Sequence, residues 1–196
     1  MKETRDYILK KSFQLFLRKS YKEVTMKDIV NATGLSKGAF YHYFESKDII
    51  YEEAVRYFYN EIMITDYSKF PQTSLKHFYE AYLDRLNDAD ATDFPEEGEA
   101  NLFVFISEAA RKIPVFNQIH SDQRKKETEA WSSAVARAKK SKEIKWRLPD
   151  EEIAKMFIYI SDGISLNAIP DKPGEETLLQ LRRCWDNLYS LLSGSL

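Results

Sequence analysis

The sequence is poor in glycine and proline and has almost no cysteine. Its 196 residues include 6 Gly and 6 Pro, which are too few for a β protein with many turns. The single cysteine, Cys184, excludes an intramolecular disulfide and is typical of a reducing compartment. No apolar run has the length of a membrane span, and the first residues lack the apolar core of a signal peptide. We therefore expect a helical protein that does not enter a membrane and works in the cytoplasm.

Positive charge is concentrated at one end of the chain. Residues 1–50 hold ten Lys or Arg against six Asp or Glu, a net charge of +4, whereas the formal charge of the whole chain is -2. A basic segment attached to an acidic body favours two modules, the first of which faces a polyanion. A segment of fifty residues also reaches this charge by chance, so charge alone decides nothing.

Apolar residues recur at helical spacing over most of the chain, and no alternating strand pattern or repeat occurs. The sequence therefore predicts an all-α fold of about nine helices. An acidic surface loop is predicted at 88–100. The helices are predicted at about 4–19, 25–32, 36–44, 46–63, 73–87, 99–112, 114–140, 149–169 and 174–192.

Polar residues mark the ends of the short helices near the N-terminus. Thr25 and Asp28 have the spacing of a capping box, and Gly34 supplies a left-handed helix end. Ser36 and Ser46 are predicted N-caps of the next two helices. The pattern predicts a helix, a tight turn and a second helix, which is a helix-turn-helix.

The second of these helices lies in "SKGAFYHYFESKDII", residues 36–50. At about 100° per residue, Phe40 and Phe44 fall on one stripe and are predicted to pack inward. Gly38, Ala39 and His42 lie almost opposite. This outward face is small at its centre, so its backbone can approach base edges.

Phenol and ammonium groups surround this outward face. Tyr41 and Tyr43 lie on its two flanks, and Lys37 lies in the first helical turn. Lys47 opens the following helix, where its charge and that helix's amides could hold a phosphate. Hydroxyl and ammonium groups are common phosphate contacts, so the pattern predicts a DNA-reading helix.

The stretch "TMKDIVNATGLSKGAFYHYFESKD", residues 25–48, closely resembles the N-terminal DNA-binding domain of TetR-type transcriptional regulators. The resemblance implies a DNA-binding domain at 1–47 and a C-terminal ligand-binding and dimerisation domain at 48–196. One departure is the absence of a basic N-terminal arm, so minor-groove contacts are not expected. The residues that match are Thr25, Ile29, Ala32, Gly34, Ser36, Gly38, Phe40, Tyr41, Tyr43, Phe44 and Lys47.

The resemblance also implies roles for individual residues. For two of these residues an alternative stays open. Tyr43 could be a core aromatic with an exposed hydroxyl, and His42 could be a solvated surface histidine. Ser36, the predicted cap of the reading helix, counts among the DNA-binding residues. Major-groove contacts are expected from Lys37, Gly38, Ala39 and His42, and backbone contacts from Thr25, Lys27, Tyr41, Tyr43 and Lys47.

In the larger domain the resemblance implies a pocket for a small apolar or aromatic effector. Three polar residues on an otherwise apolar helix face, His120, Gln123 and Glu127, need partners that a ligand could provide. The alternatives are a plain aromatic core, a wet face or a break in the helix. The expected lining consists of Phe58, Ile62, Phe78, Tyr82, Phe103, Phe116, His120, Gln123, Glu127, Trp131, Met156 and Tyr159.

The last two helices are apolar on more than one face, which indicates that something covers them. The resemblance implies a four-helix interface of a homodimer. The alternative is that both helices close the subunit's own core. The residues predicted at the interface are Phe157, Ile160, Ile164, Leu181, Trp185 and Leu188.

Nothing in the sequence supports catalysis. The three histidines are far apart, and no zinc-protease, Cys-x-x-Cys, nucleophile-elbow or P-loop motif occurs. We expect no cofactor and no metal. The function predicted is a ligand-responsive repressor that binds a pseudo-palindromic operator in double-stranded DNA as a homodimer. The alternative is a helical ligand carrier or protein-interaction module that keeps the fold without regulated DNA binding.

Overall fold

The computed structural model describes residues 2–62, 65–87, 102–168 and 175–194. All regular structure in these ranges is helical, so the predicted all-α fold is confirmed. The acidic loop predicted at 88–100 lies outside the described residues. The nine α-helices of these ranges are α1 (Lys2–Arg18), α2 (Met26–Thr33), α3 (Lys37–Tyr41), α4 (Lys47–Tyr57), α5 (Leu75–Asn87), α6 (Leu102–Lys112), α7 (Phe116–Lys140), α8 (Asp150–Ala168) and α9 (Glu175–Ser193).

The predicted ends of α2 are confirmed by their hydrogen bonds. Thr25 Oγ1 accepts from the Asp28 amide at 3.2 Å, and the Asp28 carboxylate accepts from the Thr25 amide at 2.9 Å. Gly34 ends the helix with φ at 67°, a conformation that costs residues with a Cβ atom about 1–2 kcal/mol. Local chemistry therefore defines α2 at both ends.

Serine hydroxyls cap the next two helices, as predicted. Ser36 Oγ accepts from the Ala39 amide at 3.2 Å, and Ser46 Oγ accepts from the Ile49 amide at 3.3 Å. These bonds satisfy amides that the helices leave without an internal partner. They also set where α3 begins, and so which of its side chains face outward.

The helix predicted from Ser46 to about residue 63 is not uniform. It is α-helical to Tyr57 and continues as a π-helix over Phe58–Ile62. The adjacent residues Phe58 and Tyr59 are both buried there, although neighbouring positions on an α-helix are about 100° apart. The wider π-helical turn occurs where these two neighbouring residues are both buried. The pattern of apolar and polar residues in the sequence did not predict this π-helix.

The helices are grouped into two compact units. The first contains the described residues of Met1–Ile64 and Asp90–Ser121, and the second those of Thr65–Ala89 and Asp122–Leu196. The boundary falls within α7. In the first unit α1 packs against α2, α4 and α6.

Aromatic rings fill the core of the first unit. Phe13 of α1 stacks on Phe58 with ring centroids 5.4 Å apart and meets Phe105 of α6 edge-on at 5.2 Å. Tyr51 of α4 contacts Phe16 at 4.8 Å, and its hydroxyl donates to the Phe105 carbonyl at 2.8 Å. Three helices are thus joined through one set of rings.

The second unit is built around two tryptophans. Trp131 of α7 and Trp185 of α9 have ring centroids 5.1 Å apart, and Trp131 stacks on Phe157 of α8 at 5.3 Å. Trp185 Nε1 donates to the Phe157 carbonyl at 2.9 Å. The core therefore links α7, α8 and α9.

This core changes the interpretation of the predicted dimer interface. Phe157, Leu181 and Trp185 are buried within the single chain, because their stripe faces its own core. Ile160, Ile164 and Leu188 are partly buried against the same core. Phe157, Leu181 and Trp185 therefore leave almost no side-chain surface for a partner, whereas Ile160, Ile164 and Leu188 stay predicted interface residues. Large apolar side chains exposed on the last two helices are Met156, Tyr159 and Leu166 on α8, and Leu179 and Leu191 on α9.

Across the residues that the structure describes, no helix combines the length and the apolar character that a membrane crossing requires.

Two glycines of the first unit should respond oppositely to alanine. Gly34→Ala places a Cβ at a positive φ and should lower the free energy of unfolding by about 1–2 kcal/mol. Gly38 lies in a helix with no atom within 4 Å of an added Cβ, so Gly38→Ala should leave stability unchanged or raise it by up to about 1 kcal/mol. Urea unfolding of both variants measures this. An equal loss in both would contradict the assignment of the turn to Gly34.

Candidate functional site

The outward face of α3 is open and chemically mixed. Phe40 and Phe44 are buried beneath it, as the helical spacing predicts. An added Cβ at Gly38 would meet no atom within 4 Å, so no described residue covers this face at its centre. The exposed residues are Lys37, Gly38, Ala39, Tyr41 and His42.

Three polar side chains flank this face with different partners. Lys37 Nζ lies 5.9 Å from the centroid of the Tyr41 ring, so ammonium and phenol stand together. Tyr43 is half-buried and meets the His42 ring edge-on at 5.5 Å. Lys27 is exposed on α2. We define Lys27, Lys37, Gly38, Ala39, Tyr41, His42 and Tyr43 as the α3 surface.

Thr25 and Ser36 lie beside this surface, and their hydroxyls already act as helix caps. The caps mark the N-termini of α2 and α3, next to the outward residues. Backbone amides at such positions favour anions. Both residues therefore shape the surface, whatever contacts they also make with a ligand.

Lys47 is directed into the first unit. Its Nζ donates to the carbonyls of Tyr21 at 2.8 Å and Val24 at 2.7 Å. It also lies 4.2 Å from the centroid of the Tyr21 ring. The structure therefore does not support the predicted phosphate contact, because these internal partners occupy the ammonium. Lys47 instead fixes the segment that leads into the N-cap of α2.

Tyr21 receives support from several elements of the first unit. Lys112 Nζ of α6 lies 3.9 Å from the centroid of the Tyr21 ring. The backbone amide of Tyr21 donates to the Glu108 carboxylate at 2.8 Å. Its hydroxyl donates to Asp48. Burial and this hydrogen bond raise the pKa of Tyr21 to about 12. Sequence reasoning missed this set, since Tyr21 lies in a segment without helical periodicity.

The predicted pocket residues do not come together in one unit. Phe103, Met156 and Tyr159 are exposed and form no buried lining. The side chain of Ile62 lies outside what the structure describes. Phe58, Phe103, Phe116 and His120 belong to the first unit, and Phe78, Tyr82, Gln123, Glu127, Trp131, Met156 and Tyr159 belong to the second.

In the first unit, His120 has a partner that the sequence did not predict. Its Nδ1 lies 3.0 Å from the hydroxyl of Tyr59, a buried residue of the π-helix. Its ring stacks on Phe116 with centroids 5.7 Å apart. The polar group predicted to need a ligand is thus satisfied within its own unit.

In the second unit, Glu127 forms a polar cluster against aromatic rings. Arg124 Nη1 donates to Glu127 at 2.9 Å, and the Tyr82 hydroxyl is 3.4 Å from the other carboxylate oxygen. Arg124 also pairs with Asp162 of α8. Burial is the main cause that raises the pKa of the Glu127 carboxyl above its ordinary value. Trp131 Nε1 is buried without a hydrogen-bond partner among the described residues.

The ring of Tyr67 stacks on that of Tyr82 with centroids 6.5 Å apart. The sequence did not predict Arg124, Asp162 or Tyr67 beside Glu127. Gln123 is half-buried on the same helix. Within the described ranges, no three His, Cys, Asp or Glu side chains are grouped as a metal ion would require.

The geometry of α2 and α3 agrees with a known family. The sequence profile of the bacterial regulatory proteins, tetR family, matches residues 8–54. Residues 8–54 of this chain thus have the sequence pattern of that family. The predicted helix-turn-helix is therefore the family's N-terminal module, and the TetR resemblance noted in the sequence is confirmed.

Two curated relatives differ in how much of the chain they match. The HTH-type transcriptional regulator YerO of Bacillus subtilis is 38% identical over 58 residues, which is 30% of this chain and 20% of YerO. The HTH-type transcriptional repressor KstR2 of Mycolicibacterium smegmatis is 23% identical over 177 residues, 87% of this chain and 80% of KstR2. The stronger identity is thus confined to about a fifth of YerO's length.

Solved TetR-type structures share the fold over nearly the whole chain. A transcriptional regulator from Saccharomonospora viridis, solved in complex with choline, superposes with a TM-score of 0.70 at 15% identity. The match covers 93% of this chain and 95% of that one. At this identity the similarity establishes the fold alone.

Lys47 should matter mainly for stability. Lys47→Met removes a charged donor from two carbonyls, and we expect the free energy of unfolding to fall by about 1–2 kcal/mol. Lys27→Met is the matched control on an exposed lysine and should change it by less than about 0.5 kcal/mol. Chemical denaturation followed by circular dichroism compares them. If Lys47→Met leaves the free energy of unfolding unchanged, the internal role of Lys47 is wrong and the predicted phosphate contact again becomes the better interpretation.

Proposed function

We propose that this TetR-family chain is a transcriptional repressor that binds a pseudo-palindromic DNA operator as a dimer and releases it when a small molecule binds. The observation that carries the proposal is the α3 surface, which is exposed over a buried Phe40. Repressor relatives such as KstR2 support the direction of regulation. The proposed site of action is the cytoplasm, where the operator is accessible.

The small centre of the α3 surface suits close approach to base edges in the major groove. Gly38 and Ala39 add almost no bulk, and Lys37 stands beside them in the first turn. A lysine in this position donates well to guanine N7 and O6. We therefore assign base reading to Lys37 and His42.

The flanking residues of the same surface suit the phosphate backbone. Tyr41 and Tyr43 carry hydroxyls at its edges, and Lys27 adds an exposed ammonium from α2. Such contacts fix the position of a protein on DNA but carry no sequence information. We propose a functional division at residue 47, with the reading helices before it and the dimerisation helices after it.

A dimer gives the proposed DNA reading its affinity. Two reading helices one DNA turn apart engage two half-sites at once, so modest affinities multiply. The apolar side chains exposed on α8 and α9 are the surface that we propose for the partner copy. Tyr159 is 59% exposed, Leu179 53% and Leu191 50%, which is costly for side chains of this size in water.

The route from ligand to DNA is proposed to run through α4. This helix begins beside α3 at Lys47, and the π-helix that continues it ends at Ile62. Within the first unit the Tyr59 hydroxyl of this π-helix contacts His120 of α7. A π-helical turn is often found at functional positions. A ligand with different affinities for two arrangements of α4 would couple to DNA by about 1–3 kcal/mol.

Selection from a random DNA pool, followed by fluorescence anisotropy, tests DNA reading. Affinity for the selected duplex should fall steeply between roughly 50 and 200 mM salt. Lys37→Ala should relax the preference at one or two base pairs, whereas Tyr41→Phe should weaken binding equally for all sequences. If no sequence is enriched and no salt-sensitive binding occurs, the repressor proposal is wrong. The reverse mutant pattern would mean that α3 is oriented differently.

Charge introduced on α8 and α9 should dissociate the proposed dimer. Leu179→Glu combined with Leu191→Glu places two carboxylates on side chains that are exposed in the single chain. Folding should therefore persist while the dimer is lost, because buried unpaired charges are strongly unfavourable. Val115→Glu, at an exposed apolar residue of the first unit, is the matched control. Analytical ultracentrifugation measures the mass of the assembly in solution. A double variant that stays dimeric would show that the interface does not include Leu179 and Leu191.

A further inference from the structure

The two carboxylate oxygens of Glu127 have unequal hydrogen-bond partners. Its side chain is 18% exposed, less than that of Arg124 at 31% or Asp162 at 52%. One oxygen accepts from Arg124 at 2.9 Å, but the other has only the long 3.4 Å contact with Tyr82. Arginine–carboxylate pairs are frequently bidentate, with two short parallel hydrogen bonds, whereas Arg124 makes only one such bond to Glu127.

The Arg124 guanidinium has a second carboxylate partner besides Glu127. Its guanidinium makes two contacts with Asp162 of α8, one through Nη1 at 3.3 Å and one through Nη2. If another cation displaced Arg124 from Glu127, Arg124 would keep its contacts with Asp162. Displacement of one hydrogen bond would therefore leave no buried charge without a partner.

Aromatic rings stand beside this carboxylate. Tyr82, whose hydroxyl reaches Glu127, stacks on Tyr67 at 6.5 Å with 15° between the ring planes. Tyr82 also meets Trp131 at 5.6 Å, and the Trp131 N–H lacks a partner among the described residues. Aromatic faces attract organic cations as well as flat apolar groups.

We propose that the second unit binds an aromatic amidinium or guanidinium ligand, whose two parallel N–H groups pair with Glu127 in place of the Arg124 guanidinium. The aromatic part of the ligand lies against Tyr82 and Tyr67. The two donors of a planar cation match both oxygens of one carboxylate, which a single ammonium group does not. The inference rests on the proposed effector-responsive function and names the chemical class of its effector.

Benzamidinium is the probe, with neutral benzamide and anionic benzoate as matched ligands of the same shape. Isothermal titration calorimetry on the full chain without DNA measures binding. Benzamidinium should bind at least about tenfold more tightly than benzamide or benzoate, because only it supplies a charged donor pair. Equal binding of benzamidinium and benzamide to the unaltered chain would overturn the proposal.

Variants identify the carboxylate and the competitor. Glu127→Gln keeps the size of the side chain and should weaken benzamidinium at least about tenfold, whereas Glu129→Gln, on an exposed residue of the same helix, should not. Arg124→Met removes the internal competitor and should tighten binding. No benzamidinium binding to either the unaltered chain or Arg124→Met, or equal binding by both Gln variants, overturns the proposal.

The same preparations separate this inference from the repressor proposal. Operator binding is measured without probe, by fluorescence anisotropy. Intact operator binding without amidinium binding overturns only the ligand assignment. Amidinium binding that depends on Glu127, in a chain that binds no operator, supports the ligand assignment and overturns only the repressor proposal.

Discussion

A helix of five residues is far too short to be stable in water by itself, so α3 depends on what lies beneath it. The constraint that matters is the burial of Phe40 and Phe44 in the core of the first unit. Because these rings are fixed, Tyr41 and His42 between them are exposed, while Tyr43 is half-buried. The same anchoring sets the orientation of Lys37 and Tyr41. The α3 surface is thus a consequence of core packing.

The position of the segment before α2 is a second constraint on the first unit. Polar and charged side chains contact this segment at Tyr21. Lys47, Lys112 and Glu108 converge on Tyr21 from α4 and α6. This segment has little helical periodicity, and its position depends on these charged side chains as well as on the burial of Tyr21 and Val24. This explains why a lysine in a family motif has an internal role. In this chain the motif residues include one that supports the α3 surface from inside as well as those that form it.

Much of the first unit follows from the sequence because its signals are local. Thr25, Gly34 and Ser36 each act within three or four residues, and the spacing of Phe40 and Phe44 needs only the helical period. The second unit is harder, since an apolar stripe does not say which surface will cover it. Trp185 reads equally well as core and as interface. Only the packing of α7, α8 and α9 decides in favour of the core. Arg124 and Asp162, on two different helices, cannot be paired from spacing alone.

The placement of tryptophan has a consequence for spectroscopy. The chain has 3 Trp, at positions 131, 146 and 185, and all belong to the second unit. Trp131 and Trp185 are buried in contact, whereas Trp146 is exposed. Intrinsic tryptophan emission is therefore a reporter of one unit, while circular dichroism records helices from both. Comparing the two signals during denaturation would reveal whether the units melt together or in separate steps, without any added label.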